Sequence, residues 1–315
     1  MKDRIMEDSR RGLIVGFAGF FVVTALLVCA SEGLNSEGLY LLEFKKGGNI
    51  PKEIGMLKKL QTLVLRDNNL GGNIPEEIGM LKSLTGLVLW SNELIGFIPK
   101  EIGNCTNLQY LALYDNNLVG EIPGEIGNIK SLMILYLYKN GLNGTIPTQI
   151  GNLSLATEID FSQNYLSGEI PSELSQIQGL RVLQLFDNKL TGIIPIELSR
   201  LKNLTQLDLS TNNLTGPIPL GFQNLTQMLV LQLFHNSLSG TIPRELGLYS
   251  KLRSVDFSYN YLEGRIPPHV CWNSDLKYLF LESNHLHGNI PYGLIKCDSL
   301  VVLRLRENSL TGNLL

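Results

Sequence analysis

From about Gly48 onward, apolar and polar positions follow one pattern that recurs every 24 residues, as from Asn68 to Asn92 and from Asn92 to Asn116. The pattern is clean in Leu60, Leu63, Leu65, Asn68, Leu70, Gly72, Ile74 and Pro75. The asparagine returns at Asn68, Asn92, Asn116, Asn140, Asn164, Asn188, Asn212, Asn236, Asn260, Asn284 and Asn308, without insertion or deletion. No unit holds enough apolar side chains to bury its own face, so neighbouring units must stack around one continuous core. A solenoid is the predicted product.

Within a unit, alternation around Leu63 and Leu65 predicts a short strand with leucines inward and variable residues outward. Successive strands pair in parallel and form a concave row about 50 Å long for eleven positions spaced about 4.8 Å apart. The ladder asparagine follows where the chain turns inward, and its amide can satisfy backbone groups of adjacent turns that would otherwise be buried without partners. Gly72, Ile74 and Pro75 build a turn and a second short extended piece. Glu76 to Ser83 then reads as a short helix or 3-10 turn on the convex side, with Ile78 and Leu81 inward. In the middle unit Ala156, Ile159 and Phe161 replace three leucines, which predicts a local packing adjustment.

The motif LxxLxLxxNxLxGxIP is a form of leucine-rich repeat, so the fold class is an α/β repeat, a leucine-rich-repeat solenoid with a parallel concave strand row and short helical or 3-10 convex segments. Residues 48–315 read as one elongated domain with eleven ladder asparagines and a truncated last repeat. Ahead of it, Lys2, Arg4, Arg10 and Arg11 precede an apolar stretch from Leu13 to Val28 and small residues at Ala30 and Ser31. That order predicts a secretory signal peptide over residues 1–30, with an uncleaved signal anchor as the alternative. Residues 31–47 read as the remnant of an N-terminal cap.

A formal net charge of -3, with no long basic run in the repeats, excludes broad electrostatic binding to nucleic acid. Asn104, Asn143, Asn152, Asn203, Asn213 and Asn224 each begin an Asn-x-Ser/Thr triplet. In the secretory pathway these are glycosylation acceptors; otherwise they are ordinary turn residues. Of the cysteines beyond the leader, Cys271 and Cys297 lie close enough in stacked repeats for a disulfide in an oxidising compartment, or else act as small buried hydrophobes like Cys105.

Candidate chemistry lies in the outward columns. Two residues before each asparagine stand Arg66, Trp90, Tyr114, Tyr138, Ser162, Phe186, Ser210, Phe234, Ser258, Glu282 and Arg306, with Tyr110 and Tyr136 beside the early part. Alternation points these side chains to solvent, so the aromatics form a candidate peptide track or pack on one another. Four residues before each asparagine the wall runs from apolar and aromatic through Asp160, Asp208 and Asp256, read as a solvated ridge, to Phe280 and Arg304. Arg304 and Arg306 straddle Leu305 and form either a carboxylate fork or a pair with Glu282 and Glu307. His285 and His287 fall after an asparagine, in a predicted turn, without a ligand set for a metal. No catalytic constellation, nucleotide loop or cofactor motif is present.

The full repeat with Gly-x-Ile-Pro, together with the secretory start, resembles the extracellular region of plant leucine-rich-repeat receptor-like kinases over residues 48 to 315. That resemblance implies a right-handed superhelical solenoid, a membrane helix and a Ser/Thr kinase beyond these repeats, and no enzymatic activity within them. It further implies an extracellular peptide or protein ligand on the concave face, a leucine-rich-repeat coreceptor, and a place at the plasma membrane. In peptide-receptor members an R-x-R pair reads the ligand's C-terminus, and Arg304 and Arg306 match it in type and spacing. Two departures stand out: Leu41, Leu42, Glu43, Phe44 and Lys45 run almost directly into Gly48, Asn49, Ile50 and Pro51 where the family carries a cap, and the chain stops within a repeat. A soluble secreted defence protein that inhibits a microbial cell-wall hydrolase is the rival expectation.

Overall fold

The computed structural model describes residues 48–312. The expected signal peptide and cap remnant lie outside the described residues. Eleven three-residue strands, from Thr62–Val64 through Glu158–Asp160 to Val302–Arg304, form one parallel sheet in chain order. The register never slips: Val88 pairs with Ala112, Ala112 with Tyr136, Tyr136 with Asp160 and Asp160 with Gln184. A constant repeat length makes this possible, because a one-residue insertion would turn a strand's leucines to solvent.

On the convex side eight successive units enter a five-residue 3-10 helix directly after proline, as in Glu76–Met80 and Gly124–Asn128; the last units have turns there and the short α-helix Tyr292–Ile295. Proline suits that entry because it supplies a fixed φ and no donor that would go unmet. Ile78 and Leu81 are fully buried. The convex turns pack so closely that a Cβ on Gly127 would stand 2.2 Å from the backbone oxygen of Gln149 in the next unit. Short lateral strands such as Asn117–Gly120 and Tyr261–Gly264 close the third side of the coil. His285 and His287 belong to one of these, His285–Gly288, and are exposed there, which corrects the expected turn. His285 and Leu286 pair in parallel with Glu263 and Gly264 of the preceding unit, and this pairing holds the backbone extended up to the positive-φ Gly288.

The core is a stack of leucine and isoleucine layers. The irregular middle unit keeps its place: Ala156, Ile159 and Phe161 are all at 0% exposure, and the strand register passes through them unbroken. Side-chain volume is redistributed there without moving the backbone pairing.

Each interior ladder asparagine ties two units together. Asn188 Nδ2 donates to the carbonyl oxygens of Phe161, Leu185 and Phe186, at 3.0, 3.1 and 3.3 Å. Its Oδ1 accepts from the backbone amide of Leu166 at 3.0 Å. The residue before every ladder asparagine adopts positive φ, between 50° and 57°, whatever its side chain, including Thr211 at 53°. This left-handed step swings the following asparagine into the core.

Cys271 and Cys297 are joined by a disulfide, with Cα atoms 5.9 Å apart. Cys105 is a buried free thiol whose pKa is raised by that burial.

Candidate functional site

Side chains two and four residues before the asparagines share one face of the long sheet. At its early end Trp90 stacks on Tyr114 with ring centroids 5.1 Å apart, and Tyr114 on Tyr138 at 4.2 Å. Arg66 caps the stack with its guanidinium 4.9 Å from the Trp90 ring. Tyr136 meets Tyr110, Tyr114 and Tyr138 edge to face. The block arises because strands about 4.8 Å apart place residues of one column at close to ring-stacking distance. All five rings are half-buried by one another, yet they lie on the outer face of the sheet and not in the core. Of the two sequence expectations, the structure shows the self-packing of neighbouring rings.

Glu158, which the sequence did not single out, accepts a hydrogen bond from the Tyr136 hydroxyl. Burial, then that carboxylate, raise the Tyr136 pKa. Burial likewise raises Tyr114, reinforced by the neighbouring Tyr138 hydroxyl. Tyr114 and Tyr136 therefore keep their hydroxyl protons across the ordinary pH range.

The middle of the wall departs from the expected solvated ridge. Asp208 is only 8% exposed. Its Oδ1 accepts from the Ser210 amide and hydroxyl, at 2.9 and 2.5 Å. Desolvation outweighs those two hydrogen bonds and, with the acidic Asp160 and Asp256, pushes its pKa up to about 7. Asp160 and Asp256, both half-buried, accept from Ser162 and Ser258 in the same way. Each Asp-x-Ser unit folds its carboxylate back along its own strand.

At the far end Arg304 and Arg306 do project from one face, and Glu282 holds both. Arg306 Nε lies 2.7 Å from Glu282 Oε2, and an Arg304 terminal nitrogen 3.8 Å from Oε1. The Glu282 side chain is 4% exposed, while those of Arg304 and Arg306 are 40% and 64% exposed. Arg306 also donates to the Tyr259 hydroxyl at 3.1 Å, and Arg304 sits over Phe280 at 5.0 Å. The hydrogen bond to Glu282 raises the Arg306 pKa further. Arg306 also lies 4.0 Å from Glu307, as the sequence allowed, so two carboxylates balance the two cations; the fork still has guanidinium donors beyond those these acids engage. Glu282 carried an ambiguous sequence signal; only its burial beneath both arginines identifies it as their anchor.

Asn104, Asn143, Asn152, Asn203, Asn213 and Asn224 are all exposed. Asn104, Asn152 and Asn224 end convex 3-10 helices, whereas Asn143 and Asn213 lie after ladder asparagines on the lateral side.

The Leucine Rich Repeat family model matches residues 59–81, 107–129, 131–153, 156–177, 179–201, 203–225 and 251–273. This chain belongs to the leucine-rich-repeat family. Comparison with curated protein sequences found no match. Among solved structures, its repeats are similar to the ectodomain of the Arabidopsis receptor kinase HAESA, described in complex with the peptide hormone IDA and the co-receptor SERK1. Identity is 40%, the TM-score is 0.81, and the match covers 84% of this chain and 44% of that one. The plant peptide hormone receptor RGFR1, solved in complex with RGF2, is 38% identical with a TM-score of 0.78, over 84% of this chain and 46% of that one. A plant ice-binding protein is 31% identical with a TM-score of 0.63, over 84% and 77%. The chain thus spans less than half the length of the two receptor chains. With its leucine-rich-repeat fold, it is most similar among these three to plant receptor-kinase ectodomains.

Proposed function

We propose that these repeats are the ligand-binding part of a plant receptor-kinase ectodomain, taking an extracellular peptide along the strand face and docking a leucine-rich-repeat coreceptor beside it. The observation that carries the reading is one unbroken wall with opposite chemistries at its two ends. Trp90, Tyr110, Tyr114, Tyr136 and Tyr138 offer rigid aromatic area that loses little entropy on binding. Arg304 and Arg306 offer a fork of exposed guanidinium donors for a terminal carboxylate. Phe186 and Phe234 lie between, so a peptide finds a direction as well as a surface. The similar receptors HAESA and RGFR1 were each solved with a peptide hormone.

The six exposed asparagines would carry glycans, and the disulfide between Cys271 and Cys297 suits the oxidising exterior where such an ectodomain works. A single signal peptide would deliver it there. Inhibition of a cell-wall hydrolase is not favoured by the likeness to hormone receptors.

The test uses IDA and RGF2 peptides as free acids and as C-terminal amides, titrated into the full chain by calorimetry. A free acid should bind about tenfold more tightly than its amide, and Arg304→Ala with Arg306→Ala should erase that preference. Equal affinity of acid and amide for the unaltered chain rejects the fork.

A further inference from the structure

Both arginines of the fork are long, exposed side chains, and an unconstrained arginine loses much rotamer freedom when it grips a ligand. Here each has an aromatic support. Phe280 is the direct register partner of Arg304 on the preceding strand, and the guanidinium carbon lies over its ring, 5.0 Å from the centroid. Tyr278, on the same strand, backs Phe280 with ring centroids 6.4 Å apart and planes 23° from parallel. Two coils before Arg306, Tyr259 takes the left-handed backbone step, and its hydroxyl accepts a hydrogen bond from an Arg306 terminal nitrogen at 3.1 Å. His235 stacks on Tyr259 at 4.3 Å with the rings 6° from parallel, so the phenol is itself held.

The two supports act on different parts of the guanidinium. A ring against the plane takes the face of the cation and leaves the N–H edge free. Among the described residues the Arg304 side chain makes no hydrogen bond, because its approach to Glu282 is 3.8 Å. Its donor edge is open to a ligand. Arg306 is held from the edge instead, at Nε by Glu282 at 2.7 Å and at one terminal nitrogen by Tyr259, which leaves donors on both terminal nitrogens. Since Glu282 and Glu307 balance the two cations, net charge alone does not favour an anion here. Selectivity must come from donors aimed in advance.

We infer that Phe280 and Tyr259 are positioning residues that make the fork selective for a planar terminal carboxylate, by fixing Arg304 from its face and Arg306 from its edge before the ligand arrives. The inference rests on the peptide-binding reading above and adds the residues that give its carboxylate end selectivity.

Phe280→Leu keeps an apolar side chain and removes the ring, whereas Tyr259→Phe keeps the ring and removes the acceptor. Calorimetry with the IDA and RGF2 peptides, each as free acid and as amide, gives the acid-over-amide preference of the full chain and of each variant, with circular dichroism confirming that the variants are folded. Each substitution should lower that preference about threefold, and the two together should bring the expected ratio of about ten close to one. Affinity for the amide should fall by less than about twofold. Acid and amide weakened alike would mark a merely structural role; that result, or an unchanged preference in the folded variants, overturns the inference and leaves the fork in place. Failure of every peptide to bind, or no acid preference in the unaltered chain, rejects the reading on which the inference rests. A second measurement needs no ligand: with isotope-labelled arginine, nuclear magnetic resonance should show rotation of the Arg306 guanidinium at least about threefold faster in Tyr259→Phe than in the unaltered chain. Equal rotation in the two proteins overturns the role of Tyr259.

Discussion

Asn188→Ala is expected to lower the unfolding free energy by about 3–5 kcal/mol, since it strips partners from several buried backbone groups at once. The amide is 8% exposed and links Phe161 and Leu166 of the preceding unit to Leu185 and Phe186 of its own. Alanine supplies neither donor nor acceptor at its side chain. Water must enter the layer or the polar groups must stay unmet, and both outcomes loosen the joint between two coils. In a stack whose stability is a sum of units and interfaces, that loss falls on one interface and propagates to the coils beyond it. Urea denaturation followed by circular dichroism measures it. Asn213→Ala, at an exposed lateral position, serves as the control and should change stability by less than about 0.5 kcal/mol. Equal midpoints for the two variants would show that the ladder amide is dispensable.

Asp208→Asn should stabilise the protein above neutral pH and flatten its pH dependence. In the folded state burial, together with Asp160 and Asp256, holds the Asp208 pKa at about 7, whereas an unfolded aspartate titrates near 3.9. Between about pH 4 and pH 7 the folded chain therefore keeps a proton that the unfolded chain has lost. Stability contributed by this proton is complete below about pH 4, declines as pH rises, and is gone above about pH 7. At about 1.4 kcal/mol per pKa unit, this span of about three units amounts to roughly 4 kcal/mol. Asparagine retains an Oδ1 acceptor for the Ser210 amide and hydroxyl while carrying no charge. Melting temperatures of both proteins between pH 4.5 and pH 8 test the claim. Parallel curves would mean that Asp208 is ionised in the folded state throughout.

Of the candidate site, the columns were legible and their contacts were not. A constant period told which residues share a face, and the paired register from Val88 to Arg304 places them there. Alternation could not say whether neighbouring rings lie apart or stacked, because that choice depends on rotamers and on strand spacing together. It likewise placed Asp208 outward without revealing its burial, since outward on a strand is not the same as wet when larger neighbours overhang. Glu282 looked like one of several acids near the arginines; its burial beneath both of them required the adjacent strand. The left-handed residue before each asparagine left no trace in composition, as Asp, Ser, Lys, Gln, Thr, His, Tyr and Glu all fill it.

By itself the sequence determined the coil length, the inward leucines, the asparagine ladder and the division of residues between inner wall, lateral side and convex back. Each of these follows from local periodicity, which every unit states again. Only the tertiary structure decided which outward side chains stack, which acid keeps its proton and which carboxylate anchors the arginine fork. Those properties arise between side chains 24 or 48 residues apart in sequence, as Trp90, Tyr114 and Tyr138 are, and they depend on distances that exist only once the coils are stacked.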